Sequence, residues 1–321
     1  MKKIITLGIL MVAMLVLLVA CQEKQTATNE KVVEAENKEV KVEEEVNLTR
    51  KIRHYKGEIE IPANPERVIV LSHVSWEGSL LSVGVKPVAA VTFDGEFAPH
   101  LAVHLEGTHK LEYTVEPDLE EILALEPDLL IVSDRFDKVY EQLLKIAPTV
   151  MIEVGGDWKE DHLKITEAVD KLEDGLKVIE ELNDKAKVTR EKLADIVADK
   201  TVLSVAINRE NIRVYGRTDH AMNALLYDDL QLTPPAGIPY GFGENISVEG
   251  LTTFDADFII DSTYFNSGDY YNSVVKGNVW KGLKAVKDDN VFTLTNVWGF
   301  WDPIERSNGM DEIVALFEEK K

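Results

Sequence analysis

Short apolar runs alternate with segments of helical periodicity through residues 51–173. The apolar runs predict β-strands, and the segments between them have apolar residues at the spacing of amphipathic helices. The predicted strands are Arg67–Ser72, Pro87–Val91, Asp128–Ser133 and Thr149–Val154. The predicted helices are Trp76–Val83, Leu119–Leu125 and Lys138–Ile146. Alternating strands and helices are typical of βαβ units on a mostly parallel sheet.

The same alternation returns in residues 200–321. Strands are predicted at Thr201–Ile207, Ile212–Tyr215, Phe258–Asp261 and Val291–Thr295, and helices at Ala221–Asp228 and Met310–Glu319. Between the halves, residues 174–199 keep a helical period without proline, and a helix of about 25 residues is about 37 Å long. The predicted fold class is therefore α/β. It has two lobes with mainly parallel sheets, at 51–173 and 200–321, joined by one long helix at 174–199.

The first 21 residues differ in character from the rest. Lys2 and Lys3 precede an almost wholly apolar run, which stops at Cys21, the single cysteine of the sequence. A basic start, an apolar run and a small residue before the cut are the features of a secretory signal. A retained membrane helix is the alternative, because the run is near the lower length limit for crossing a bilayer. The quartet Leu18–Cys21 resembles the bacterial lipobox, which favours cleavage and a lipid anchor on Cys21.

Residues 22–50 contain no glycine, proline or aromatic residue. Such a segment buries too little apolar surface to offset its ordering entropy, so it predicts a flexible tether. A charged surface helix within Glu30–Val46 is the alternative. The formal net charge of the chain is −22. This charge argues against a nucleic-acid partner, which requires a basic surface.

Aromatic and arginine side chains collect just beyond the predicted strands. Open α/β sheets bind ligands at the carboxyl ends of their strands, and these side chains offer flat apolar surface, hydroxyl donors and positive charge. The candidate ligand-binding residues are Trp76, Tyr113, Arg135, Arg213, Tyr215, Tyr264 and Trp298. Side chains two apart in a strand share a face, so Arg213 faces the cleft if Tyr215 does. Trp76 also fits a core position, and Arg135 a surface one.

Sequence signals for catalysis and metal binding are weak. The sequence has no P-loop, no nucleophile elbow and no HExxH motif, so we expect a non-enzyme without a cofactor. His100 and His104 are four residues apart and His109 follows, which is a spacing that metal ligands adopt. Solvated surface histidines are the simpler interpretation. His73 fits a hydrogen-bonded polar residue better than a metal or haem ligand.

Four segments, taken in order, resemble the iron-siderophore substrate-binding lipoproteins of ABC importers. They are "PERVIVLSHVSWEGSLLSVGVKPVAAV", "EPDLEEILALEPDLLIVSDR", "YEQLLKIAPTV" and "VWKGLKAVKDDNVFTLTNVWGFWDPI". The resemblance runs from about Arg53 to the C-terminus. It implies two α/β lobes bridged by one long helix. It also implies a monomer that captures an Fe(III)–siderophore complex between the lobes and delivers it to an ABC permease with a cytoplasmic ATPase.

The resemblance implies one permease-docking glutamate in each lobe. In this family each such glutamate meets arginines of the permease. The segment "DLEEILALEPD" resembles the first docking motif and implies Glu120, with Asp118 where the family usually has asparagine. The segment "ISVEGL" resembles the second motif and implies Glu249. A glutamate near a helix start also stabilises the helix dipole, which is the alternative explanation.

The closing segment "FWDPI" most resembles the ferric hydroxamate binders of this family. The resemblance implies that Trp, Tyr and Arg side chains hold the complex and that the siderophore, not the protein, holds the iron. Ferric catecholates are trianionic and usually meet several basic residues; the candidates are Arg135, Arg209, Arg213 and Arg217. The acidic exterior mildly favours a neutral or cationic complex. We therefore expect a ferric hydroxamate. The alternatives are a catecholate, citrate or haem complex, or a metal ion at His100, His104 and His109.

Overall fold

The computed structural model describes residues 48–155, 157–208, 210–263, 268–295 and 297–320. The predicted signal peptide and the tether up to residue 47 lie outside the described residues. Arg209 and Tyr264 also lie outside them. Among the described residues, we find no helix with the length and apolar character needed to cross a membrane.

An antiparallel hairpin opens the described chain. Its strands are β1 (Thr49–His54) and β2 (Gly57–Pro62), with Ile52 and Ile61 buried against the first lobe. This hairpin was not among the elements that the sequence pattern predicts. Because β1 begins at Thr49, its first two residues fall inside the segment predicted as tether.

The first lobe is built on a five-stranded parallel sheet. Its strands are β3 (Val68–Leu71), β4 (Ala89–Thr92), β5 (His109–Glu112), β6 (Leu129–Ser133) and β7 (Thr149–Ile152). They lie in the order β5-β4-β3-β6-β7, and every neighbouring pair is parallel. Continuous apolar runs suit such strands because helices cover both faces of a parallel sheet. Edge strand β5 is mostly exposed and polar, which explains why its pattern gave no strand prediction.

Four helices flank the first sheet, and a fifth leaves the lobe. The helices are α1 (Glu77–Ser82), α2 (Leu119–Ala124), α3 (Tyr140–Leu143), α4 (Trp158–Ala168) and α5 (Leu172–Val197). A 3₁₀ turn at Asp134–Val139 precedes α3. Helix α5 has 26 residues and begins and ends two residues before the range predicted for the long helix.

The second lobe has a mixed five-stranded sheet. Its strands are β8 (Val202–Ile207), β9 (Ile212–Tyr215), β10 (Gly243–Ile246), β11 (Phe258–Asp261) and β12 (Val291–Thr293). The order is β10-β9-β8-β11-β12. Strands β8, β11 and β12 are parallel, whereas β9 is antiparallel to both of its neighbours. The α/β class and the two-lobed architecture are thus confirmed, with one half of the second sheet antiparallel.

The helices of the second lobe follow, and the last of them packs back against the first lobe. They are α6 (Ala221–Asn223), α7 (Asp269–Lys276), α8 (Asn278–Gly282), α9 (Lys284–Lys287) and α10 (Pro303–Glu318). A π-helical segment, Ala224–Asp229, continues α6. Helix α10 packs along α5 and against α1, so the segment before it leads from the second sheet back to the first lobe.

Candidate functional site

A cavity of about 450 Å³, called the cleft below, is lined by residues of both lobes. Parallel strands end at one edge of a sheet, so β3, β6 and β7 bring distant residues of the first lobe together there. These residues are His73, Val74, Asp134, Arg135, Val154 and Gly155. The second lobe contributes Asp219, His220, Phe242, Trp298 and Trp301.

Two of the predicted ligand-binding residues, Arg135 and Trp298, line the cleft. Arg135 is exposed at the end of β6. Trp298 is half-buried, and its ring centroid lies 4.9 Å from that of Phe93. Arg135 follows a strand of the first lobe and Trp298 follows a strand of the second, but the Trp298 ring packs on Phe93 of the first lobe.

Tyr113 reaches the cleft indirectly. It follows β5, is half-buried and stacks on Phe93 with ring centroids 4.9 Å apart. Phe93 in turn contacts Trp298, and Phe136 meets Tyr113 edge-on at 6.3 Å. Tyr113 therefore supports an aromatic row that ends in a wall residue of the cleft.

Arg213 and Tyr215 share one face of β9, as the alternation of a strand requires. Both are half-buried, whereas Ile212 and Val214 are buried on the other face. The Arg213 guanidinium lies 5.1 Å from the Phe242 ring centroid, and its Nε donates to Asn245 Oδ1 at 3.1 Å. The Tyr215 ring lies 4.5 Å from His220. Both residues therefore contact side chains that form the cleft wall.

His220 is the main cleft residue that the sequence analysis missed. Its imidazole lies within 5.2 Å of the rings of Tyr215, Phe242 and Trp301. Burial, together with the charge of Arg213, lowers the pKa of His220 to about 3, so the ring is neutral. We missed it because a rule based on the carboxyl ends of parallel strands does not apply around the antiparallel strands β9 and β10. The available signal was its position directly before a predicted helix, where it caps α6 through a bond from Met222 N–H.

Few cations face the cleft. Its charged wall residues within the described chain are Asp134, Arg135 and Asp219. His73 lies 3.4 Å from Ser133 Oγ, and burial and the positive charge of Arg135 lower its pKa. The wall therefore combines three aromatic rings and two imidazoles with one arginine and two aspartates.

A second cavity of about 290 Å³ shares Gly155, Asp219 and His220 with the cleft. Asp157, Asp228 and Asp229 add acidic groups to it. Two of them already have protein partners, since Asp157 accepts from Lys159 N–H and Asp229 accepts from Arg306. This cavity extends the cleft towards α4.

Trp76 is a correction to the predicted site. It is fully buried in the core beside Leu80 and does not line the cleft. The residue lies directly before α1, where its apolar ring joins the same buried cluster as Leu80. Tyr264, the remaining aromatic candidate, lies outside the described residues.

The three histidines proposed as an alternative metal site do not come together. His104 is exposed, His109 lies on β5 with Nε2 2.8 Å from Glu121 Oε1, and His100 lies 2.7 Å from Asp302 Oδ2. Ligand atoms of His100, Asp302 and Glu305 do lie within 4.8 Å of one another, a spacing that a metal could bridge. Both oxygens of each carboxylate already accept hydrogen bonds from protein groups. Protein donors therefore already occupy both carboxylates of that cluster.

Both predicted docking glutamates are exposed. Glu120 lies in the first turn of α2, where Asp118 Oδ1 accepts from its N–H at 2.9 Å and caps the helix. Glu249 is the first residue of a 3₁₀ turn, Glu249–Thr253. Neither side chain lines the cleft, so each is available to a partner.

The family model described as periplasmic binding protein matches residues 98–297. This chain belongs to that periplasmic binding protein family. The family is one of substrate-binding proteins, not enzymes, and it places this binding protein on the extracytoplasmic side of a membrane.

Relatives of this binding protein include two from Bacillus subtilis. The probable siderophore-binding lipoprotein YfiY is 30% identical over 341 residues, which cover 100% of both chains. The iron(3+)-hydroxamate-binding protein FhuD is 28% identical over 269 residues, covering 80% of this chain and 82% of the relative. Staphylococcus aureus SirA, solved with staphyloferrin B, superposes with a TM-score of 0.72 at 24% identity over 84% of this chain and 99% of its own. The last comparison shows the shared fold.

Proposed function

We propose that this chain is a lipid-anchored binding protein that captures a ferric siderophore in the cleft and delivers it to an ABC permease for iron import. The observation that carries the proposal is the cleft itself. Its wall combines Arg135 of one lobe with Trp298 and Trp301 beside the other, in a protein whose full-length relative is named as siderophore-binding. A cavity of about 450 Å³ is within the range of small-molecule sites.

A ferric hydroxamate is the ligand class that we propose. The cleft wall has one arginine and two aspartates, and its two histidines have lowered pKa values. A wall of this charge suits a neutral or cationic complex, because a trianionic catecholate would need several cations to replace its hydration. The relative named as an iron(3+)-hydroxamate-binding protein supports the same choice.

Partners and anchoring follow from this proposal. Glu120 and Glu249 would face the permease, Cys21 would carry the lipid, and the siderophore would hold the iron, so the protein needs no cofactor of its own. The lobe boundaries at 51–173, 174–199 and 200–321 remain predictions.

Titration of the purified mature chain tests the ligand class. Ferric desferrioxamine B, as the hydroxamate probe, should quench tryptophan fluorescence because Trp298 and Trp301 line the cleft. Iron-free desferrioxamine B is the matched control, and ferric enterobactin, ferric citrate, haem and Zn²⁺ are the competing ligands. Tighter binding of ferric enterobactin would contradict the hydroxamate assignment. No binding of any ferric chelate would contradict the proposed function.

A further inference from the structure

The turn at residues 298–301, called the cleft turn below, is held by one buried carboxylate. Glu305 Oε1 accepts from the backbone N–H of Trp298 and, at 3.0 Å, from that of Gly299. Its Oε2 accepts from Phe300 N–H at 2.6 Å. Arg306 Nη1 donates to the Phe300 carbonyl at 3.0 Å. Glu305 and Arg306, adjacent residues of α10, therefore bind three backbone N–H groups and one backbone carbonyl of the turn.

The cleft turn has a backbone conformation that needs such support. Phe300 has φ +63°, in the left-handed region that non-glycine residues rarely occupy. Gly299 has φ +124°, and a Cβ there would lie 2.7 Å from Trp301 Nε1. Residues in sparsely populated regions persist only where their surroundings over-determine them. The backbone hydrogen bonds that Glu305 accepts supply that constraint.

The cleft turn carries both tryptophans of the cleft wall. Trp298 packs on Phe93 of the first lobe, and Trp301 lies 5.2 Å from His220 of the second. The positions of the two rings relative to both lobes therefore depend on the geometry of one short turn.

We propose that Glu305 is the positioning residue of the cleft: its ionised carboxylate holds the turn that presents Trp298 and Trp301 to the ligand. Protonation removes acceptor capacity from the three N–H groups, so the turn loosens and the ligand is held less tightly. The ligand in this proposal rests on the proposed function, whereas the hydrogen bonds of the turn do not. It makes ligand affinity depend on pH through a residue that does not line the cleft.

The groups around Glu305 set the pH at which this occurs. Glu305 interacts with His100 before β5, Asp302 at the N-cap of α10, Arg306 on α10 and Tyr215 on β9, and Glu77 on α1 interacts with His100 and Asp302. Burial and the charge of Asp302 raise the pKa of Glu305 to about 7, against the opposing effects of His100 and the backbone N–H groups. Burial lowers the pKa of His100, but Asp302 outweighs it and the net direction is upward. Burial raises the pKa of Glu77 to about 8. Because Glu77 therefore titrates in a nearby pH range, the test compares the wild type with variants.

Glu305→Gln tests the proposal. Glutamine keeps the shape, but its amide nitrogen cannot accept from Phe300 N–H. At pH 8 we expect ferric desferrioxamine B to bind about tenfold more weakly to the variant. Between pH 8 and pH 6 the wild type should lose affinity, and the variant should lose much less. Parallel pH profiles for the two proteins would overturn the proposal.

Glu312→Gln is the matched control. Glu312 lies on the same helix and accepts from Thr295 N–H, but it is only half-buried and its partner Thr295 precedes the cleft turn. This variant should keep the wild-type affinity and pH profile. A loss equal to that of Glu305→Gln would show a general effect of α10 and overturn the assignment to Glu305.

As pH falls, the stability of the fold should change in the opposite direction from ligand affinity. The pKa of Glu305 is raised above its ordinary value of 4.5, so its contribution to the free energy of unfolding is fully present below 4.5 and is lost as pH rises through about 7. Acidification should therefore stabilise the wild type relative to Glu305→Gln while weakening its binding. A merely structural role would move both quantities together.

Hydrogen exchange of the wild type tests the hydrogen bonds without ligand. Protection of the amides of residues 298–300, corrected for intrinsic rates, should be lower at pH 6 than at pH 8, whereas protection of Thr295 should not change. Equal protection of residues 298–300 at both values would overturn the proposal, even if Glu305→Gln fails to fold. If the wild type binds no ferric chelate, the proposed function fails while this measurement still tests the turn.

Discussion

Single side chains from the loops beside β9 form most of the second lobe's cleft wall. His220, neutral because of burial, contacts three aromatic rings, and the Arg213 guanidinium lies over Phe242. An arginine held by stacking and by one hydrogen bond to Asn245 keeps other donors available. Such donors suit the oxygens that surround the iron in a hydroxamate complex.

Arg213→Ala should weaken binding of ferric desferrioxamine B. A hydrogen bond to a charged group contributes about 1.5–3 kcal/mol, which corresponds to about ten- to a hundredfold in affinity. Tryptophan fluorescence titration measures the change. Arg53→Ala, an exposed arginine on the hairpin, is the control and should bind as the wild type does. An unchanged affinity for Arg213→Ala would make Arg213 a surface residue of the strand.

At the scale of elements, helix ends define the two surfaces that the proposed function needs. The start of α10 supports the cleft from behind, through its N-cap Asp302 and through Glu305 and Arg306, all of them buried. Gly78 lets α1 approach closely, because a Cβ there would lie 2.1 Å from Asp302 Oδ1. By contrast, the first turns of α2 and of the Glu249–Thr253 segment present their glutamates to solvent.

Glu120→Ala combined with Glu249→Ala should abolish import and leave binding intact. Losing one partner of an interfacial charge pair typically costs enough to reduce affinity for the permease by roughly tenfold or more. Uptake of ⁵⁵Fe-labelled desferrioxamine B by cells reports import, and fluorescence titration of the purified variant reports binding. Glu116→Ala with Glu244→Ala, two other exposed glutamates, is the matched control. A large loss of ligand affinity in the docking variant would place these residues in the binding site.

At the scale of the whole molecule, two sheets and the crossings between them form one binding protein. Helix α5 makes the first crossing, and α10 packs back on α5 and α1 after the second sheet is complete. The cleft lies between two sheets that are built by separate parts of the chain, and the two crossings connect its walls. The predicted lipid on Cys21 would hold this assembly near its permease.

Cys21→Ala should release the protein from the membrane or leave its signal uncleaved. Thioether attachment of the lipid requires the cysteine sulfur, and alanine has none. Fractionation of cells and N-terminal sequencing measure the outcome. Ala20→Gly keeps a small residue before the cysteine and should remain anchored. A Cys21→Ala protein that stays membrane-bound with the wild-type N-terminus would contradict the lipid anchor.

The periodicity of the chain was sufficient to predict most elements near the sheet centres. Buried strands such as β3, β6 and β8 are continuous apolar runs, and α5 keeps its helical period over seven turns or so. Edge strands β5 and β10 escaped prediction because exposure removes the apolar signal on which such predictions depend. The hairpin at β1 and β2 escaped for the same reason.

Local pattern alone determined the α/β class, the long helix, the candidate lipid anchor, and Arg135 and Trp298 as cleft residues. Each of these depends on neighbours in sequence or on the rule that parallel strands end at one edge. Only the tertiary structure decided that Trp76 is core, that His220 and Phe242 line the cleft, and that Glu305 holds its turn. Those roles depend on contacts between residues far apart in the chain, where burial and charge are set by the packing of both lobes and not by the residues' own neighbours.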